Sequence, residues 1–291
     1  MIQPRQKRRG SLFMNAFVKI EFEFLSDEQK ELLIALLSEI NYEGFEEEGD
    51  LLKAYIPSRL YNDTDLRNLV SAHQLSFTLM ELENKNWNQL WESNFHPVTI
   101  NHPVADKPWV GIRAEFHQPL NNVEHEIIIT PRMSFGTGHH VTTLMMIQMM
   151  SEVNFKEKSV LDFGTGTGIL AILAERLGAS QVAAMDNDFQ SIKNASENFI
   201  SNSCKKIKLS QASSAQGSNC YDIILSNIVK GVIVGNLGAF SRQLAKNGEL
   251  LLSGLLEQDE DIIVKSAEKN GLILNKKMSK GNWLSLQLFR D

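Results

Sequence analysis

Gly164, Gly166 and Gly168 stand at alternate positions in DFGTGTGIL, where one apolar run gives way to another. The pattern fits a strand that ends and a helix that begins. Missing side chains there let a ligand approach the backbone, and the amides of a helix N-terminus suit an anion. Asp186 follows Gly164 by 22 residues and closes the next apolar run, QVAAMD, a place from which a carboxylate can accept two ribose hydroxyls. Strand, glycines and acid together point to a cofactor built on a nucleoside. A dinucleotide fingerprint requires a third small residue five positions after its first glycine, and Ile169 occupies that place. The spacing therefore argues against a pyrophosphate.

A second Gly-Thr-Gly segment, SFGTGHHVTT, lies just upstream. His139 and His140 are adjacent in it, but no carboxylates accompany them at ligand spacing, so packing or helix capping is expected and no metal is called for. Cys204 and Cys220 are the only cysteines, forming neither a CxxC pair nor a disulfide framework, which suits a reducing cytoplasm. The formal charge of -6 disfavours a surface that grips nucleic acid through many phosphates, leaving a protein or small-molecule substrate. No apolar run approaches the ~18 residues of a membrane span. The basic start, MIQPRQKRRG, is expected to be a disordered extension, or to lie upstream of a true start at Met14.

A chain of 291 residues is long enough for two domains. In AFVKIEFEF, apolar Val18, Ile20, Phe22 and Phe24 alternate with charged residues, as in a half-buried strand. Ser26 and Gln29 have capping-box spacing at the start of a helix carrying Leu32, Leu33, Leu36, Leu37 and Ile40, and Gly44 follows its end. A strand near Phe45, a turn at EEGD, the strand LLKAYIP, a helix from Asp63 to His73 and the strand LSFTLMEL complete a βαββαβ order, that of a ferredoxin-like domain. WNQLWESNF then reads as a linker helix with Trp87 and Trp91 packing between domains, and Pro97, Pro103 and Pro108 punctuate edge-like segments. From VTTLMMIQMM onward, strands alternate with helices, as in a parallel, doubly wound α/β sheet, and LILNKKMSKGNWLSLQLF closes it as an antiparallel hairpin.

The GxGxG spacing resembles the first motif of class I S-adenosylmethionine-dependent methyltransferases, and the closing hairpin is similar to that of their Rossmann-like sheet. Pro131, Phe135, Gly136, Thr137, Gly138, His140, Thr142 and Thr143 match the Pro-x-x-x-Phe-Gly-Thr-Gly-x-His-x-Thr-Thr loop of a narrower group, the methyltransferases that modify ribosomal protein eleven of the large subunit. WNQLWESNFHP, DFGTGTGILAI and ILSNIV are similar as well, and the resemblance runs from about Met14 to the C-terminus. Val141 stands where many relatives carry a more polar residue and Thr165 where cysteine is common; neither replaces an assigned donor residue.

The resemblance implies S-adenosylmethionine as methyl donor, held by Thr143, Gly164, Gly166, Asp186 and Asn227, with the first glycine loop as a lid. It also implies transfer to lysine side chains and the N-terminal amine of that ribosomal protein; Asn227, whose side-chain oxygen can orient an amine but cannot take its proton, is expected to position the acceptor. The expected layout is a substrate-recognition domain at 14–84, a linker helix at 85–98 and the methyltransferase domain at 99–291, in a cytoplasmic monomer without sequence-specific nucleic-acid contacts. A nucleic-acid amine methyltransferase would carry an aromatic residue just after Asn227 to stack a flipped base, where this chain has Ile228, Val229 and Lys230. A donor-binding module without catalysis is the other alternative.

Overall fold

The computed structural model describes residues 17–23, 25–73, 75–81, 95–130, 138–215 and 219–290. The first unit comprises β1 (Phe17–Phe22), α1 (Asp27–Glu39), β2 (Gly44–Glu48), β3 (Leu51–Pro57), α2 (Asp63–Ala72) and β4 (Thr78–Glu81). Its sheet has the order β2-β3-β1-β4, with every neighbouring pair antiparallel. Alternation in β1 sends Val18, Ile20 and Phe22 into a core shared with Leu33 and Leu37 of α1. Ser26 and Gln29 form the capping box that starts α1. Asn41, with φ +71°, makes the left-handed turn behind the helix, so Gly44 is free to open β2 instead.

Residues 85–94 of the expected linker helix, with Trp87 and Trp91, lie outside the described residues. Residues 95–97 form no regular element, and Val98 opens a strand. A small sheet follows, in which β5 (Val98–Asn101) pairs antiparallel with β6 (Pro108–Arg113), and β6 pairs parallel with β7 (His125–Ile128). Pro108 is the first residue of β6, a position at which the missing amide costs nothing.

The main sheet begins after α3 (Val141–Met150), whose Met145, Met146, Met149 and Met150 are all buried. Its elements are β8 (Ser159–Phe163), α4 (Ile169–Arg176), β9 (Gln181–Asp186), α5 (Phe189–Ser201), β10 (Ile207–Gln211), β11 (Tyr221–Asn227), α6 (Lys230–Gln243), β12 (Leu244–Leu256), α7 (Glu260–Lys269), β13 (Leu272–Lys280) and β14 (Trp283–Arg290). The order is β10-β9-β8-β11-β12-β14-β13, parallel from β10 to β12 and antiparallel in the closing hairpin. Both faces are covered: Val160 and Leu225 point into one apolar cluster with α3 and α4, Leu161 and Ile224 into another with α6 and α7. Strands buried on both sides explain why SVLDF and YDIILSN read as near-continuous apolar runs. No helix among the described residues is long and apolar enough to cross a membrane.

The two units share a boundary. Met145 of α3, Leu256 of β12 and Trp283 of β14 belong to the core of the first unit. At the β13–β14 turn the Asn282 amide donates to Glu31 Oε2 of α1 at 2.9 Å, and Asn282 Nδ2 donates to the Glu28 carbonyl at 3.3 Å. Gly281 has φ +58°, and a Cβ there would come within 2.5 Å of Glu31 Oε2. Gly281→Ala should therefore combine backbone strain with loss of this contact and cost about 1–3 kcal/mol. Urea unfolding of both forms measures it, and equal midpoints would show that the turn carries no such constraint.

Candidate active site

Ligands of parallel α/β sheets bind beyond the carboxyl ends of the strands, and the candidate residues gather at the ends of β8, β9 and β11. After β8, Gly164, Gly166 and Gly168 have φ of +76°, +53° and +82°, a run that side chains would strain. The turn is stitched to the neighbouring strand: the Gly164 and Thr165 amides both donate to the Met185 carbonyl at 2.9 Å. The Gly166 amide donates to Asp186 Oδ2 at 2.8 Å, and the Asp188 amide to Asp186 Oδ1 at 3.0 Å. A Cβ at Gly164 would collide with the Ile228 side chain, and one at Gly168 with the Phe199 ring. These two glycines are required by protein packing as well as by any ligand.

The helix amides expected to face an anion are in part already engaged within the protein. Gly168 donates to the Thr165 carbonyl at 2.8 Å, and Ala171 in the first turn of α4 donates to Asp162. Asp162 is fully enclosed and also accepts the Thr165 hydroxyl at 2.6 Å. A carboxylate buried beneath the positive end of α4 thus takes one amide of its first turn. Burial pushes its carboxyl up to about 7 against these hydrogen bonds.

Asn227 ends β11, and its Nδ2 donates to the Thr143 hydroxyl of α3 at 3.3 Å. Asn227 Oδ1 is buried without a hydrogen-bond partner, an open valence that costs stability unless a donor meets it. His140 caps α3, its Nδ1 facing the Thr142 hydroxyl at 2.8 Å while its ring stands edge-on to Trp283, centroids 4.7 Å apart. Burial pushes this imidazole down to about 4, so it is neutral near pH 7. His139 Nε2 lies 2.9 Å from the His96 carbonyl, and its ring meets the edge of Phe95. Among the described residues no group of three or more His, Cys, Asp or Glu side chains is placed to hold a metal ion. Pro131, Phe135, Gly136 and Thr137 of the expected lid lie outside the described residues.

A cavity of about 420 Å³ brings together Thr143, Gly164, Gly166, Asp186 and Asn227. Its wall also includes residues that sequence reasoning missed: Leu36, Glu39 and Glu43 from α1 and the turn behind it, and Lys230 and Asp259 beyond β11 and β12. Burial, reinforced by Asp188 across the cavity and opposed by Arg59, pushes the Glu43 carboxyl up to about 7. One signal was available, since α1 is apolar on more than the face that its own sheet needs: Leu33 and Leu37 enter the core while Leu36 turns to the cavity.

The central sheet, its closing hairpin and the glycine turn facing an acidic strand end define an α/β methyltransferase fold. The profile of the ribosomal protein L11 methyltransferase (PrmA) family matches residues 27–291. The ribosomal protein L11 methyltransferase of Porphyromonas gingivalis is 36% identical over 268 residues, spanning 90% of this chain and 91% of that one. That of Bacteroides fragilis is 35% identical over 280 residues, spanning 91% and 98%. The crystal structure of ribosomal protein L11 methylase from Lactobacillus delbrueckii subsp. bulgaricus aligns with a TM-score of 0.58 at 29% identity, covering 62% of this chain and 95% of that chain. The chain belongs to the ribosomal protein L11 methyltransferase family.

The raised Asp162 carboxyl has a signed consequence for stability. Between the unfolded carboxylate range near pH 4 and about pH 7, the folded protein holds a proton that the unfolded chain has released, so stability from this group is lost as pH rises through that window. Asp162→Asn has no such dependence. Relative to wild type its stability should improve by up to about 1.4 kcal/mol per unit from pH 5 to 7 and then level off. Urea unfolding at four pH values tests this, and a difference that stays constant with pH would refute the raised carboxyl.

Proposed function

We propose that this chain transfers methyl groups from S-adenosylmethionine to lysine side chains and the N-terminal amine of ribosomal protein L11. The observation that carries the reading is one cavity joining Asp186, the glycine turn and the unpartnered Asn227 Oδ1 in a chain of this family. These residues fit the donor. Asp186 at the end of β9 would take the ribose hydroxyls, Gly164 and Gly166 would admit the donor against the backbone, and Thr143 with Asn227 would hold its methionine end. Bound there, S-adenosylmethionine supplies a methyl group on a positively charged sulfur that an amine can displace.

The chain's own work is then to select, orient and desolvate the amine. At pH 7 a lysine with pKa ~10.4 costs about 4.6 kcal/mol to deprotonate, and an α-amine near 7.7 about 1 kcal/mol. His140 is an unsuitable base, since its imidazole is pushed far below the usual range and its Nδ1 is committed to the α3 cap. Asn227 cannot take a proton, but its Oδ1 can hold an amine hydrogen, so its role is positioning, with proximity and in-line geometry supplying the rate.

The first unit, at 14–84, is a ferredoxin-like substrate-recognition domain in this reading. Its strand order and all-antiparallel pairing support that assignment. Residues 85–98 link it to the methyltransferase domain at 99–291. The protein works in the cytoplasm as a monomer, and the acceptor is protein rather than a specific nucleic-acid sequence.

Incubation with labelled donor and L11, followed by mass mapping, tests the activity directly; an unlabelled L11 would refute it. Over pH 7 to 9, single-turnover methylation of lysine should rise by close to tenfold per unit, while the N-terminal amine levels off near pH ~8. A flat lysine profile that is insensitive to solvent viscosity would mean that the site itself neutralises the lysine. Asp186→Ala should weaken S-adenosylmethionine binding by about 1.5–3 kcal/mol. Calorimetry showing unchanged affinity in a folded variant would remove Asp186 from the ribose site.

A further inference from the structure

The side of the cavity beyond Asn227 holds an ion pair that none of the steps above uses. The chain leaves the sheet after Leu256, makes a single 3-10 turn over Glu257–Asp259 and enters α7. Asp259 occupies the N-cap of α7, where an aspartate ordinarily accepts an amide of the first turn. It makes no capping hydrogen bond. Its carboxylate reaches instead to Lys230, the first residue of α6, with Nζ 3.0 Å from Oδ1. Both side chains line the cavity. The Asp259 side chain is 11% exposed and that of Lys230 33%, so the carboxylate is the fixed, buried member and the ammonium the more accessible one.

Sheet order says what lies nearby. Asp186 ends β9 and Asn227 ends β11, while Asp259 follows β12 on the far side of β11 from β9. A donor whose nucleoside rests on Asp186 and whose methionine end rests at Asn227 leaves the β12 side for the acceptor. Displacement of methyl from sulfur requires the amine to arrive opposite the sulfur. Asp188 flanks Asp186, and Glu43 faces Asp188, so those carboxylates belong to the nucleoside end. Asp259 is the cavity carboxylate that directly follows β12, and Glu39 of α1 is a further one on the wall; of the two, Asp259 is the one already holding an ammonium. An acceptor lysine reaches the protein as an ammonium, and burying that charge without a counterion is costly.

We propose that Asp259 is the specificity-determining residue that receives the acceptor's ammonium group, and that Lys230 occupies this seat until a substrate amine displaces it. The inference rests on the amine-methylation reading above. It follows that the site admits amines as ammonium ions, on side chains or chain termini, over hydroxyl or amide groups of similar size, and that the bound ammonium gives its proton to solvent before the neutral amine attacks. Lys230 guards the carboxylate from being left buried and unpaired between turnovers. A compact, flexible ammonium suits that placeholder role better than a guanidinium fork would.

The test uses the full chain and two peptides, one carrying an acceptor lysine mapped in L11 and one with norleucine in its place. Binding of both is measured in the presence of saturating S-adenosylhomocysteine. Wild type should prefer the lysine peptide by tenfold or more. Asp259→Asn should abolish that preference, while Lys230→Met, having lost the competitor, should bind the lysine peptide at least threefold more tightly. A merely structural ion pair predicts that both variants weaken binding, or that both leave it alone, so either result overturns the proposal. If Asp259→Asn does not fold, the sign of the Lys230→Met change decides the matter. S-adenosylhomocysteine affinity, measured first, should stay within twofold of wild type in each variant. Absence of donor binding and of lysine methylation in wild type would overturn the reading of function itself, whereas a methylating wild type with an undiminished lysine preference in Asp259→Asn would overturn only the present inference.

Discussion

The Met185 carbonyl is the point on which the site turns. It accepts the amides of Gly164 and Thr165 together, fastening the turn after β8 to the end of β9. The next residue on that strand, Asp186, then takes the Gly166 amide. Two consecutive residues of one strand, the first through its backbone carbonyl and the second through its carboxylate, thus dictate the path of the turn on its neighbour. Because β8 and β9 are parallel and in register from Ser159–Gln181 to Phe163–Met185, this fastening also sets how far the glycine turn stands above the sheet. The placement of α4 follows, since the Ala171 amide in its first turn meets Asp162 on the strand beneath. The turn owes its geometry to the backbone ladder and to the one carboxylate that closes it.

The cavity is closed by both units of the fold, whose cores meet at Met145, Leu256 and Trp283. The methyltransferase sheet provides floor and sides, while α1 and its following turn provide Leu36, Glu39 and Glu43. Glu31, one turn back on the same helix, holds the β13–β14 turn through the Asn282 amide. A single helix therefore caps its own sheet, docks onto the other unit and walls the cavity. Three demands on one helix explain its composition: DEQKELLIALLSE has too many apolar residues for a surface helix that serves only one core.

Much of this was legible in the sequence, for local reasons. The turn DFGTGTG and the capping box at Ser26 depend on residues close in the chain, so propensity and spacing reveal them. The fate of the amides in the glycine turn was not legible, because their acceptors are Met185 and Asp186 on another strand. Asp162 reads as one polar residue in an apolar strand, and only tertiary packing reveals that it lies under α4. Leu36 and Glu43 were missed for the same reason: nothing in a helical period says which second surface an extra apolar face will meet. The shift from Gly44 to Asn41 as the turn behind α1 was local, but a glycine is the more conspicuous candidate and an asparagine tolerates the same left-handed conformation.

Strand β14 lies between β12 and β13, although it is the last of the three in chain order. On a ribosome, which delivers a chain from its N-terminus, β12 and β13 emerge with no partner on their facing edges. β13 touches the rest of the sheet only through β14. Trp283, which stands against His140 on the cavity wall, and the turn that grips Glu31 arrive with the same late segment. The first unit can complete its own ladder early, yet its dock is synthesised near the end. A nascent chain of this protein thus carries a finished first unit and an unfinished cavity until β14 slides into the gap.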